Sequence, residues 1–177
     1  MAFEQLFSLA NIYILPFWSL MILLPNWNLT KKIIGSYLYF IPLIGLYIYY
    51  LAASFDPDAF AALANPTLSD IATFFSLEGA AGAGWVHFLV MDLFIGRWIY
   101  WQGQEKKIWT IHSLILCLFF GPIGLLSHIL TAYIFIKESS EKSQIDTAIS
   151  WRIYLAIAKN KINGEAGRGI YSITYLG

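Results

Sequence analysis

The sequence predicts an all-α, polytopic membrane protein: four transmembrane helices, with short interfacial helices in the loop between the second and third. Three observations carry this reading. Hydrophobic residues make up 58% of the 177 and charged residues 12%, against about 25% charged in a soluble domain. Four apolar stretches, Leu6–Leu24, Ile33–Ala53, Gly82–Trp101 and His112–Ile136, are each long enough to cross a bilayer at about 1.5 Å per residue. Inside a bilayer no water satisfies an open sheet edge, so a helical bundle is the economical architecture for a chain this short.

The first stretch carries Asn11 and Pro16 and ends at Pro25-Asn26-Trp27-Asn28, a turn with an interfacial tryptophan. The second is uncharged and rich in tyrosine, with Pro42 inside it, and Pro122 lies inside the fourth. Proline removes a backbone donor, so three of the four helices are expected to bend near mid-span. Between the second and third stretches, Asp56-Pro57 suits one helix start and Thr67 caps another that places Leu68, Ile71 and Phe75 on one face. The run Gly79 to Gly84 is small throughout, which lets the third helix approach a neighbour closely. Residues 1–136 form the transmembrane domain. Residues 137–177 form a polar linker, an interfacial helix over Trp151–Ala158 and a loose glycine-containing end.

Eleven basic and eleven acidic residues cancel, so nothing favours nucleic acid as a partner. Position matters more than sum. Lys31, Lys32, Lys106 and Lys107 place the first and third loops in the cytoplasm or its plastid equivalent, with the amino terminus and the acidic loop opposite. Four spans put the tail on the acidic side too, although it is rich in Lys and Arg. The first thirty residues lack the basic start and small-residue cleavage site of a signal peptide, so the first span is expected to persist, in a bacterial-type chain or an already processed one. Cys117 is the single cysteine, which excludes an intrachain disulfide and a cysteine-built metal site.

The third stretch organises the rest, because it carries His87, Asp92 and Arg97, and ionisable groups in a spanning helix are costly unless they face a bundle interior or a site. For Asp92 the functional reading leads; for Arg97 snorkelling to the headgroups is slightly favoured. Counting rise along antiparallel third and fourth helices puts His87, His128 and Asn11 at one depth, Asp92 opposite Gly121 near the midplane, and Arg97 and His112 toward the other surface. Five residues turn a helix by about 140°, so His87 and Asp92 do not share a narrow stripe, whereas Trp85, Leu89 and Gly96 share Asp92's face. Gly121, Gly124 and His128 fall on one face of the fourth helix, where absent side chains leave room for a helix or a flat ligand. No phosphate loop, nucleophile elbow or metal-ligand spacing is present, and neither a metal nor a cofactor is expected.

Trp85-Val86-His87-Phe88-Leu89-Val90-Met91-Asp92-Leu93-Phe94, followed by Arg97, Tyr100, His112-Ser113, Gly121-Pro122-Ile123-Gly124 and His128, resembles the abscisic-acid-deficient family of plastid and cyanobacterial membrane proteins, associated in plants with neoxanthin synthesis. Pro16-Phe17-Trp18, Met21 and Pro25-Asn26-Trp27 extend the resemblance, which ends near Ile136. It implies conversion of an epoxy-xanthophyll, violaxanthin, to the allenic neoxanthin, in a thylakoid, plastid or bacterial inner membrane. The partners implied are a carotenoid or xanthophyll and the lipid bilayer. A second membrane protein or a second copy of the chain stays open.

Such an isomerisation needs one acid at the epoxide oxygen and one base at the neighbouring polyene carbon. Asp92 suits the acid, with His87 or His128 as base; Asn11, Trp85, Arg97, His112, Gly121 and Gly124 are the substrate-binding candidates. The alternative is a non-catalytic protein that binds pigment or steadies a photosynthetic complex, with a small transporter ranked below both.

Overall fold

The computed structural model describes the backbone of residues 3–57, 61 and 63–173, with side chains as far as residue 155. Among these residues every regular element is helical: α1 (Phe3–Leu23), α2 (Asn28–Gly35), a 3-10 turn (Leu38–Phe40), α3 (Ile41–Ala53), α4 (Leu68–Phe75), α5 (Glu78–Lys106), α6 (Ile111–Phe119) and α7 (Gly121–Ile173). The chain divides into two compact units. The first, Met1–Thr131, holds α1 to α6 and the start of α7; the second, Ala132–Gly177, is helical through Ile173 where the sequence predicts a linker and a loose end. That segment contains no proline, and its Glu138 and Lys142 stand at the i,i+4 spacing that supports a solvated helix.

By length and composition α1 and α5 are candidate membrane spans among the described residues, and α2 with Leu38–Ala53, a pair bent by 61°, adds a third where the pair is counted as one broken span. The all-helical expectation is met. The expected fourth span is not one continuous helix. At Phe120 (φ −145°, ψ 72°) α6 stops, its last turn closed by Phe120 N–H donating to Leu116 O at 2.7 Å, and α7 begins with Ile123 and Gly124 N–H donating to Phe120 O. Pro122 is therefore the second residue of a new helix, where its missing N–H costs nothing, instead of a mid-span bend. Pro42 has the same role at the start of α3, and only Pro16 lies inside a span.

The core gathers around α5 through aromatic rings laid over glycines. A Cβ on Gly82 would lie 2.7 Å from the Tyr50 ring, and one on Gly96 would run into the Trp18 indole, both rings being buried. Tyrosine hydroxyls then tie the elements together through backbone carbonyls: Tyr50 donates to Phe3 O (2.7 Å), Tyr13 to Tyr39 O (3.0 Å) and Tyr100 to Pro25 O (2.8 Å). These bonds absorb three tyrosines that composition alone assigns to membrane belts or a polyene. The break between α2 and α3 frees carbonyls at the end of α2, and Arg97 answers them. Its Nε donates to Ile34 O at 2.8 Å and its Nη2 to Gly35 O at 3.3 Å, while the guanidinium sits 4.1 Å from the Tyr37 ring centroid.

Of the two interfacial helices expected before α5, the one starting at Asp56-Pro57 lies largely outside the described residues. The other is α4, with Thr67 and Asp70 forming a reciprocal capping box. The bonds from Thr67 hold the Asp70 carboxyl below its ordinary value.

Candidate functional site

Asp92 lies where α5 meets the turn between α6 and α7. A Cβ on Gly121 would collide with its carboxyl group, and Cys117 Sγ donates to its backbone oxygen at 3.5 Å. A carboxyl in this position faces the N-terminus of α7, whose dipole favours a negative or acceptor group. Asp92 itself is half-buried, and exposed aromatic residues stand nearby in the chain: Phe88 one turn away on α5, and Phe119 and Phe120 next to Gly121.

Two turns of α5 separate Asp92 from Trp85, which puts both on one stripe. Trp85 donates from its indole N–H to Asn11 Oδ1 at 2.9 Å, and Asn11 donates in turn to Phe7 O. Beyond this pair a cavity of about 480 Å³ opens among Phe3, Glu4, Phe7, Tyr50, Glu78 and Trp85 at the acidic end of the bundle. Asn11, Trp85, Asp92 and Gly121, four of the residues singled out from sequence, thus share one side of α5. A separate apolar groove of about 470 Å³, lined by Tyr37, Phe40, Ile44, Val90, Met91 and Phe94, lies against α3 and excludes Asp92 from its walls.

The remaining candidates sit elsewhere. His87 is exposed beside Tyr47 of α3, 6.1 Å between ring centroids. His128 is buried, its ring edge-on to Trp98 at 5.1 Å, with neither ring nitrogen hydrogen-bonded. The two histidines are therefore not at one depth: Trp98 is eleven residues along α5 from His87, about 16 Å of rise. The depth count fails because it assumes a straight fourth helix, whereas the chain reverses at Phe120.

Gly124 provides no open room, since its Cα face is filled by the backbone of Cys117. His112 belongs to a hydrogen-bond ladder between α6 and α7. Thr131 Oγ1 donates to Ser127 O, so His112 Nε2 must be the protonated nitrogen that donates to Thr131 at 2.9 Å; Ser113 Oγ lies 3.1 Å from both His112 Nε2 and Ser127 Oγ. Arg97 caps α2, as described above. Sequence reasoning missed Cys117, Trp98, Ser127 and Thr131. For the last two a signal existed, since Ser127 and Thr131 are spaced i,i+4, the repeat that places polar groups on one interhelical face. Among the described residues, no three His, Cys, Asp or Glu side chains gather around a common point.

Residues 5–128, the segment that contains this arrangement, match the family model described as ABA DEFICIENT 4-like. The chain belongs to that family. It is also 39% identical over 133 residues to "Protein ABA DEFICIENT 4, chloroplastic" of Arabidopsis thaliana, an alignment covering 72% of this chain and 60% of the relative. The chain thus spans about 60% of the length of that curated relative. No solved structure matches it. The resemblance read from Trp85–Phe94 and the Gly121–Gly124 turn is borne out, and the matched segment ends within α7, at His128.

Proposed function

We propose that this family member acts in xanthophyll metabolism in a plastid, thylakoid or bacterial inner membrane, isomerising an epoxy-carotenoid to an allenic one. The observation that carries the reading is the half-buried Asp92 carboxyl on the stripe that leads from the Asn11–Trp85 pair to the aromatic turn at Phe119–Phe120. A flat, apolar end ring fits aromatic walls, and a carboxylic acid is costly to ionise away from water.

With His128 buried against Trp98 and His87 on another face, one carboxyl group serves both proton transfers. Its O–H protonates the epoxide oxygen as the ring C–O bond opens. Its second oxygen accepts the proton leaving the neighbouring polyene carbon, and the electrons of that C–H bond form the new cumulated double bond. Composition is unchanged, as an isomerisation requires, and Asp92 ends as it began.

A second reading, non-catalytic pigment binding, draws support from the same position: an acceptor at the first turn of α7 has a structural use without any chemistry. Reconstitution separates the two. Purified protein given violaxanthin should yield an allenic product by chromatography and mass-identical absorption analysis. Pigment that co-purifies unchanged favours binding alone, and failure to retain or convert any xanthophyll contradicts both.

A further inference from the structure

The contacts within the first unit order α5, α6 and α7 by depth. Thr110, just before α6, packs on Gly103 of α5, whereas Cys117 near the end of α6 reaches Asp92. Gly121, opening α7, is again at Asp92, and His128 is back at Trp98. Between α6 and α7 the pairs are His112 with Thr131, Ser113 with Ser127, and Cys117 with Gly124, the register of an antiparallel hairpin. Nine residues of α6 rise about 14 Å, roughly half of a bilayer's hydrocarbon core of about 30 Å.

We propose that α6 and the start of α7 form a re-entrant hairpin that enters and leaves through the face bearing Lys31, Lys32, Lys106 and Lys107, with its tip at Asp92. The bundle then crosses the membrane three times, through α1, the bent α2–α3 pair and α5, and the chain leaves Thr131 on the basic side. Six residues later the sequence turns charged at Lys137, and the Lys and Arg of the following segment obey the positive-inside rule that four spans violate. The hairpin covers only the basic half of its side of α5. The stripe from Asp92 to Trp85 is left facing the opposite leaflet, and an apolar ligand reaches Asp92 from that leaflet alone; this last step rests on the proposed function.

The test is an engineered disulfide in the full chain, with Cys117→Ala removing the native thiol. Ser113→Cys and Ser127→Cys replace hydroxyl oxygens 3.1 Å apart, within the reach of a disulfide, whereas a straight helix would hold them about 21 Å apart. Oxidation of membranes with copper phenanthroline should close a bond within one chain, seen as loss of maleimide labelling at both sites in protein that still elutes as a single species. Free thiols in such folded protein would overturn the hairpin. In a second variant, Ser139→Cys should react with a membrane-impermeant maleimide from the same face as Lys107→Cys; reaction from the opposite face would equally overturn it. Neither readout involves pigment, so failure here leaves the role of Asp92 to its own assay.

Discussion

The two groups of helices that pack on α5 are held by different kinds of contact. Toward α1 and α3, aromatic side chains rest on glycines, as Trp18 does on Gly96 and Tyr50 on Gly82, and tyrosine hydroxyls find carbonyls at helix ends. Between α6 and α7, backbone meets backbone at Gly124 and Cys117 and hydroxyls and imidazole form the cross-helix ladder, and this pair meets α5 at Asp92 through Gly121 and Cys117. An aromatic ring can tilt to admit an added methyl group; a helix backbone cannot. The first group thus offers a tolerant packing surface, and the second is a rigid mount that fixes where Asp92 sits.

Glycine substitutions break this comparison most sharply. Gly124→Ala drives a methyl group into the Cys117 backbone, so its cost should exceed the roughly 1–3 kcal/mol usual for overpacking, with the monodisperse peak lost in detergent size-exclusion chromatography. Removing the Arg97 guanidinium as Arg97→Leu leaves the Ile34 and Gly35 carbonyls unpaired, an expected loss of about 1–3 kcal/mol read as a lowered thermal midpoint. Gly96→Ala should cost less, because Trp18 can yield and alanine gains about 1 kcal/mol of helix propensity; combining it with Trp18→Leu should recover part of the loss. Gly45, with nothing within 4 Å of an added Cβ, serves as the control, and Gly45→Ala should leave the midpoint unchanged or raise it.

The smallest effect lies outside the bundle, at α4. Asp70 has a lowered folded-state value through its bonds to Thr67, so the cap's contribution is full above the ordinary carboxylate value and is lost as pH falls through the lowered one. Amide exchange in α4, corrected for intrinsic rate, should rise over that acid interval in the wild type. In Thr67→Ala it should be raised at every pH and lose most of this dependence.

Much of the first group was legible in sequence, because it rests on signals that hydropathy and capping rules detect. Long apolar runs announce α1 and α5, and Thr67 before Leu68, Ile71 and Phe75 on one face announces α4. The hairpin was not legible by the same means. Hydropathy is blind to the reversal at Phe120, since the residues on both sides are apolar, and a proline inside such a run reads equally as a kink or as the first turn of a new helix. Every depth inferred beyond that point inherited the error, which is why His128 was placed beside His87. The partners of Arg97 escaped notice for a related reason: they are carbonyls freed by a break between α2 and α3, where Pro42 opens a new helix and does not bend a continuous one. Asp92, Trp85, Asn11 and Gly121 come together because their placement depends on α1, α5 and the position of the turn, and not on the direction of α7.

The proton-transferring role proposed for Asp92 is tested by turnover of violaxanthin in reconstituted Asp92→Asn. The amide keeps the shape beside Gly121 but has no carboxylic proton to give. The account predicts a variant that folds, retains pigment and forms no allenic product. Product formed at the wild-type rate would contradict it.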